Sequence, residues 1–156
     1  MSKRYVEPTP AAIVSLLEII FGEGVVAESV DGADLTGDSA ARYIDTNDSL
    51  VAVAACDAKF VCYAGAALSM VPAHVADEMA ASGDITPAIQ DNFYEFMNIC
   101  SKLMMSDTSD HLRLSTVGTA SEVFAEAEPL NSVATRHTFN VSLPGYGQGS
   151  LNFLVS

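Results

Sequence analysis

Basic residues are scarce in this chain: seven Lys and Arg stand against 20 Asp and Glu, for a formal net charge of −13 at pH 7. Lys and Arg supply affinity for a phosphate backbone, so the balance argues against nucleic acid as a partner. Acidity suits a basic protein partner, although solubility alone also accounts for it. Long apolar runs are absent too. None approaches the roughly 18 residues of a membrane span, and the segment Met1 to Glu7 has no apolar stretch with a cleavage site. These absences predict a cytoplasmic protein with no membrane association. Cysteine is sparse and unpatterned. Cys56, Cys62 and Cys100 are odd in number and lack CxxC or zinc-like spacing, which argues against a disulfide framework and suits a reducing compartment. There is no P-loop, nucleophile elbow or HExxH motif, and His74, His111 and His137 lie far apart. No metal site is expected.

What remains fits one domain over residues 1–156, long enough to bury roughly two thirds of its unfolded surface without staples. Thr9 and Pro10 open a helix whose stripe is Ile13, Leu16, Leu17 and Ile20, and Gly22 stops it near Phe21. Asp31, Asp34 and Asp38 follow in an order that does not fit a calcium loop and read as a solvated turn. Two apolar runs, Leu50 to Ala55 and Phe60 to Leu68, read as a β-hairpin turning at Cys56–Lys59, with Gly65 at a bulge. Pro72 opens a short helix to Ala81, and Thr86-Pro87 a longer one to Met105. Strands are expected at His111–Thr119, Val133–Leu143 and Ser150–Val155, the last two joined by a glycine-rich hairpin loop. Strand runs interrupted by helices predict an α+β fold with an antiparallel or mixed sheet and long helices packed on one face.

The longer helix carries the most information. At about 100° per residue, Ile89, Phe93, Phe96, Met97, Ile99, Cys100, Leu103 and Met104 share one broad face. Asp91, Glu95, Asn98 and Lys102 line the opposite side over about 16 Å. That stripe is not what helix stability alone would select. Asn costs up to about 0.7 kcal/mol relative to Ala in a helix interior, and Asp91 and Glu95, four apart, repel by a few tenths.

The residues Asp91-Asn92-Phe93-Tyr94-Glu95-Phe96-Met97-Asn98 satisfy the pattern of Asp or Ser, three residues, Glu, two residues, Asn. In this the chain resembles the CheC/CheX family of chemotaxis phosphatases, and the stretch from Leu50 to Val117 resembles the CheX layout. One position departs: the family commonly has a proline in the strand after the motif helix, where this chain has Thr116. Thr9-Pro10 and Thr86-Pro87 each precede a glutamate nine residues after the Thr, Glu18 and Glu95, but Phe21 stands where the second helix has Asn98. This is similar to the pseudo-symmetry of CheC-type proteins with the first site lost, the single-site CheX arrangement.

The resemblance implies hydrolysis of the aspartyl phosphate on a CheY-like response-regulator receiver. Asn98 would hold a water in line with phosphorus, Glu95 would pair with the receiver's lysine, and Asp91 would assist docking. The magnesium ion would belong to the receiver, so the chain needs no cofactor of its own. Two alternatives are a non-catalytic adaptor or flagellar-switch-like binding module of the same fold, and a small-ligand domain with a pocket between helix and sheet. Edge strands of such a sheet also allow a homodimer.

Overall fold

The computed structural model describes residues 5–30, 37–130 and 134–156. Asp31, Asp34 and Val133, to which the sequence assigns a turn and a strand start, lie outside them. In chain order the elements are α1 (Pro10–Phe21), β1 (Val26–Val30), β2 (Ser39–Ile44), β3 (Leu50–Cys56), α2 (Ala58–Leu68), α3 (Ala73–Ser82), α4 (Pro87–Cys100), β4 (Arg113–Thr119), α5 (Ala120–Glu126), β5 (Thr135–Leu143) and β6 (Gly147–Val155). The strands form one sheet in the order β1-β5-β6-β3-β2-β4, and every neighbouring pair is antiparallel. The expected α+β architecture is therefore the one observed, with the sheet antiparallel.

Strand alternation gives the sheet two faces. Tyr43 of β2, Ala52, Ala54 and Cys56 of β3, and Leu151 and Phe153 of β6 point into the main core, which α1 to α4 cover. Their neighbours Ala40, Val53, Ala55 and Leu154 point to the other face, where Ala120 and Val123 of α5 and its C-cap Ala127 pack. The short helix α5 thus adds a cover on the face opposite the long helices.

The main departure from the sequence reading is at Phe60–Leu68, which forms helix α2 and not the second arm of a hairpin. Asp57 is its N-cap: the carboxylate accepts the N–H of Phe60 at 2.9 Å and that of Ser150 at 3.1 Å. Every residue from Phe60 to Ala66 is buried, so no polar stripe marks the 3.6-residue period and the run looks like a buried strand. Gly65 is not at a bulge. It is where α4 crosses α2, and a Cβ there would lie 2.6 Å from Ile89 Cγ2 and 2.8 Å from the Ile89 carbonyl oxygen. Strands β1 and β2 and helix α5 also escape the sequence reading. β1 is an edge strand exposed along most of its length, β2 begins on small residues, and α5 is only seven residues long.

Two tests follow from this packing. Gly65→Ala gains about 1 kcal/mol of helix propensity, but it presses a methyl against a backbone carbonyl that cannot swing away. Overpacking of that kind costs about 1–3 kcal/mol, so the variant is expected to unfold at lower urea than the wild type. The second test concerns Tyr63 of α2, whose hydroxyl donates to Asp77 of α3. That carboxylate, and then burial, push the phenol up to about 12. A folded-state pKa above the unfolded value of 10 means the contribution is complete below pH 10 and disappears as pH rises to about 12. Between those limits urea midpoints are expected to fall less steeply for Tyr63→Phe than for the wild type.

Candidate functional site

Helix α4 starts on Thr86, whose Oγ1 accepts the N–H of Ile89 at 3.4 Å, with Pro87 in the first turn. Ile89, Phe93, Phe96, Met97 and Cys100 are buried, while Asp91, Glu95 and Asn98 are all exposed. The α-helix ends at Cys100, and Ser101–Met104 tighten into a 3₁₀ turn. The sequence reads one helix through this stretch to Met105. The change places Asn98 in the last turn of α4, where the helix-interior penalty on Asn is weaker. Its carbonyl accepts both the N–H of Ser101 and, at 2.8 Å, the Ser101 hydroxyl.

Asp91 has a different environment from the other two. With Gln90 and Tyr94 it borders a cavity of about 400 Å³ whose far wall is Val117, Gly118 and Thr119 of β4. Glu95 and Asn98 are not among its lining residues. The exposed stripe therefore divides into a groove-side carboxylate and, toward the C-terminal end, a Glu/Asn pair one turn apart.

A residue missed in the sequence, Asn92, anchors the helix. In the last turn of α2 the Ser69 N–H turns to Ala66, and the Gly65 carbonyl instead accepts Asn92 Nδ2 at 3.0 Å. The same amide also donates to the Ser69 hydroxyl. An amide at the border between the apolar and polar faces was the available signal.

Thr116, where the family commonly has proline, is exposed on the edge strand β4. Arg42 pairs with Thr116 but Tyr43 pairs with Leu114, so Ser115 is an extra residue and β4 is bulged there. Edges and bulges are the places where a sheet tolerates proline. The strand keeps such a site without the proline ring.

The two Thr-Pro helices share their cap: the Thr9 hydroxyl accepts the Ala12 N–H at 3.1 Å as Thr86 does for Ile89. Their ends differ. Glu18 accepts the Gly24 N–H at 3.0 Å, and the half-buried Phe21 ring lies 5.6 Å from that of Phe96. Residues of α1 that correspond to Glu95 and Asn98 are engaged in a turn and in packing on α4.

Other chemistry finds little support near α4. Burial pushes the Cys56 and Cys100 thiols well above the usual range, so both are neutral filling residues and not nucleophiles. His74 and His111 are exposed, and His137 Nε2 lies 3.8 Å from the Glu7 carboxylate. Among the described residues no three His, Cys, Asp or Glu side chains are placed to share a metal ion, and no helix is long and apolar enough to cross a membrane.

No protein-family model and no curated protein matches the chain. Solved structures do. The FliM–SpeE complex from H. pylori aligns with a TM-score of 0.65 at 7% identity, over 94% of this chain and 80% of that one. The FliM middle domain from Vibrio alginolyticus aligns with a TM-score of 0.61 at 9% identity, over 94% and 87%. The chemotaxis protein CheX from Desulfovibrio desulfuricans aligns with a TM-score of 0.50 at 12% identity, over 94% and 95%. At such identities the likeness shows the fold alone: the chain has the fold shared by CheX and the FliM middle domain.

Asn92→Ala removes the donor to Gly65 and is expected to cost about 1–3 kcal/mol, the range for stranding a partly buried carbonyl. Amide hydrogen exchange should speed up along the facing turns of α2 and α4 and stay unchanged in β5.

Proposed function

We propose that this protein is a phosphatase for the aspartyl phosphate of a CheY-like response-regulator receiver. The observation that supports it best is the exposure of Glu95 and Asn98, one turn apart, on a helix whose other face is anchored in the core of a CheX-like fold.

Few side chains are needed for this reaction. An acyl phosphate is already activated, and phosphoryl transfer passes through a loose transition state in which positioning and charge stabilisation are most of the task. Water attacks phosphorus as the bond to the receiver's aspartate oxygen breaks, leaving a free carboxylate and inorganic phosphate. The Asn98 carboxamide accepts a hydrogen bond from that water and aims it; no proton need pass to the protein. Glu95 forms an ion pair with the receiver's lysine and sets the docking register. Asp91, at the edge of the groove beside β4, contacts the receiver farther from phosphorus. Magnesium is held by the receiver. A net charge of −13 steers a partner that presents a lysine, an effect that weakens with salt.

A second reading is a non-catalytic binding module of the same fold, which the FliM alignments support with TM-scores of 0.65, 0.61 and 0.53 beside 0.50 for CheX. Both readings place a partner on the exposed face of α4. They differ in whether phosphate is released.

The deciding measurement follows decay of a phosphorylated receiver alone, with the protein, and with its variants. Acceleration by the wild type is expected. Asn98→Ala should lower kcat on the order of 10²-fold, as loss of an aligning group does. Glu95→Ala should act mainly on KM, by roughly tenfold for one charge-assisted contact. Receivers of the host that bind the protein yet decay at their unassisted rate would establish the binding module instead.

A further inference from the structure

The two peptide groups that flank the Cα of Asn98 are each held by a side-chain hydroxyl from outside the exposed stripe. In the 3₁₀ turn the Ser101 N–H moves to the Asn98 carbonyl, so the Met97 carbonyl loses the donor it would have in an α-helix. The Tyr43 hydroxyl, from β2, replaces it at 2.6 Å. Tyr43 and Met97 are both fully buried. On the other side, the Ser101 hydroxyl reaches the Asn98 carbonyl at 2.8 Å and is itself nearly buried. With both adjoining peptide planes pinned, the backbone dihedrals of Asn98 are fixed, and so is the direction of its Cα–Cβ bond. Its carboxamide projects into solvent from a base tied to the sheet.

We infer that Tyr43 and Ser101 are positioning residues that aim the Asn98 carboxamide. The inference rests on the reading of Asn98 as the group that orients the attacking water. A buried carbonyl needs some donor for stability alone, but that need does not explain why both hydroxyls converge on the peptide groups that flank the exposed Asn98. Burial holds the Tyr43 phenol well above its ordinary value, which favours the neutral hydroxyl that donates to Met97.

The test uses Tyr43→Phe, which keeps the ring and removes the hydroxyl, and Ser101→Ala, which leaves the sheet intact should the first variant fail to fold. NMR relaxation on the whole chain is expected to show the Asn98 backbone order parameter falling from roughly 0.85 toward flexible values in either variant. Residues Ile89 to Phe93 should stay unchanged. Receiver dephosphorylation should lose roughly fivefold or more in kcat with KM unchanged, because an aimed group is misplaced and docking is not. Combining either variant with Asn98→Ala should add no further loss, since there is then nothing left to aim. Unchanged order at Asn98, or the same kcat loss with and without the Asn98 carboxamide, would overturn the inference. A wild-type protein without phosphatase activity would sink the proposed reaction only; the relaxation data would still decide whether the two hydroxyls fix Asn98.

Discussion

Helix α2 lies between the sheet and α4 at separations that only glycine permits. A Cβ on Gly149 of β6 would come within 2.5–2.7 Å of Phe60 at the start of α2, and one on Gly65 would strike Ile89 on the far side. Cys62, Ala64 and Ala66 keep the helix thin between these points. Close-packed interiors cannot absorb an added methylene at such crossings, so three layers are set at one spacing. The outer layer is α4. Because α2 fills the space beneath it, α4 buries one face completely and presents the other, with Asp91, Glu95 and Asn98, as a surface ridge.

The same constraint explains which parts of the fold were legible in the sequence. Helices α1, α3 and α4 each have a wet side, and the sequence reading places their starts from Pro10, Pro72 and Pro87 and the ends of α1 and α3 from Gly22 and Gly83, while it runs α4 five residues too far, to Met105. Helix α2 has no wet side, and its Val, Cys, Tyr and Ala content gives the same apolar run as a central strand. Edge strand β1 fails for the opposite reason: its exposed residues Val26, Glu28, Ser29 and Val30 show no alternation to read. Within the candidate site the exposed stripe was legible because amphipathicity is local. Its supports were not, because they are long-range: Tyr43 reaches Met97 across 54 positions and Asn92 reaches Gly65 across 27. A hydroxyl or amide acting over such distances leaves no periodic mark.

Comparing α1 with α4 shows how one helix start serves two ends. Both begin on a Thr cap and a proline, and both bury an apolar face in the main core. Phe21 in α1 makes an aromatic contact with Phe96 of α4, a pairing worth about 0.5–1.5 kcal/mol beyond burial. Glu18 closes its own helix terminus on Gly24. These interactions add stability and use up the positions that on α4 remain free. A polar pair left unengaged on one helix while its counterpart is absorbed into packing differs from an ordinary solvated face, where both would be spared.

The division of the α4 surface also bears on how a partner would be held. Asp91 borders the groove walled by β4, whereas Asn98 is seven residues farther along, about 10 Å on a helix. Placement at Asn98 must be good to a fraction of an ångström if a water is to be aimed. The two ends are built differently. The groove end combines a helix flank with a bulged edge strand, while the Asn98 end is bonded through Tyr43 to β2, an interior strand paired on both sides. The last turn of α4 tightens so that one backbone carbonyl is released to the sheet, and this bond ties the Asn98 end of the helix to β2.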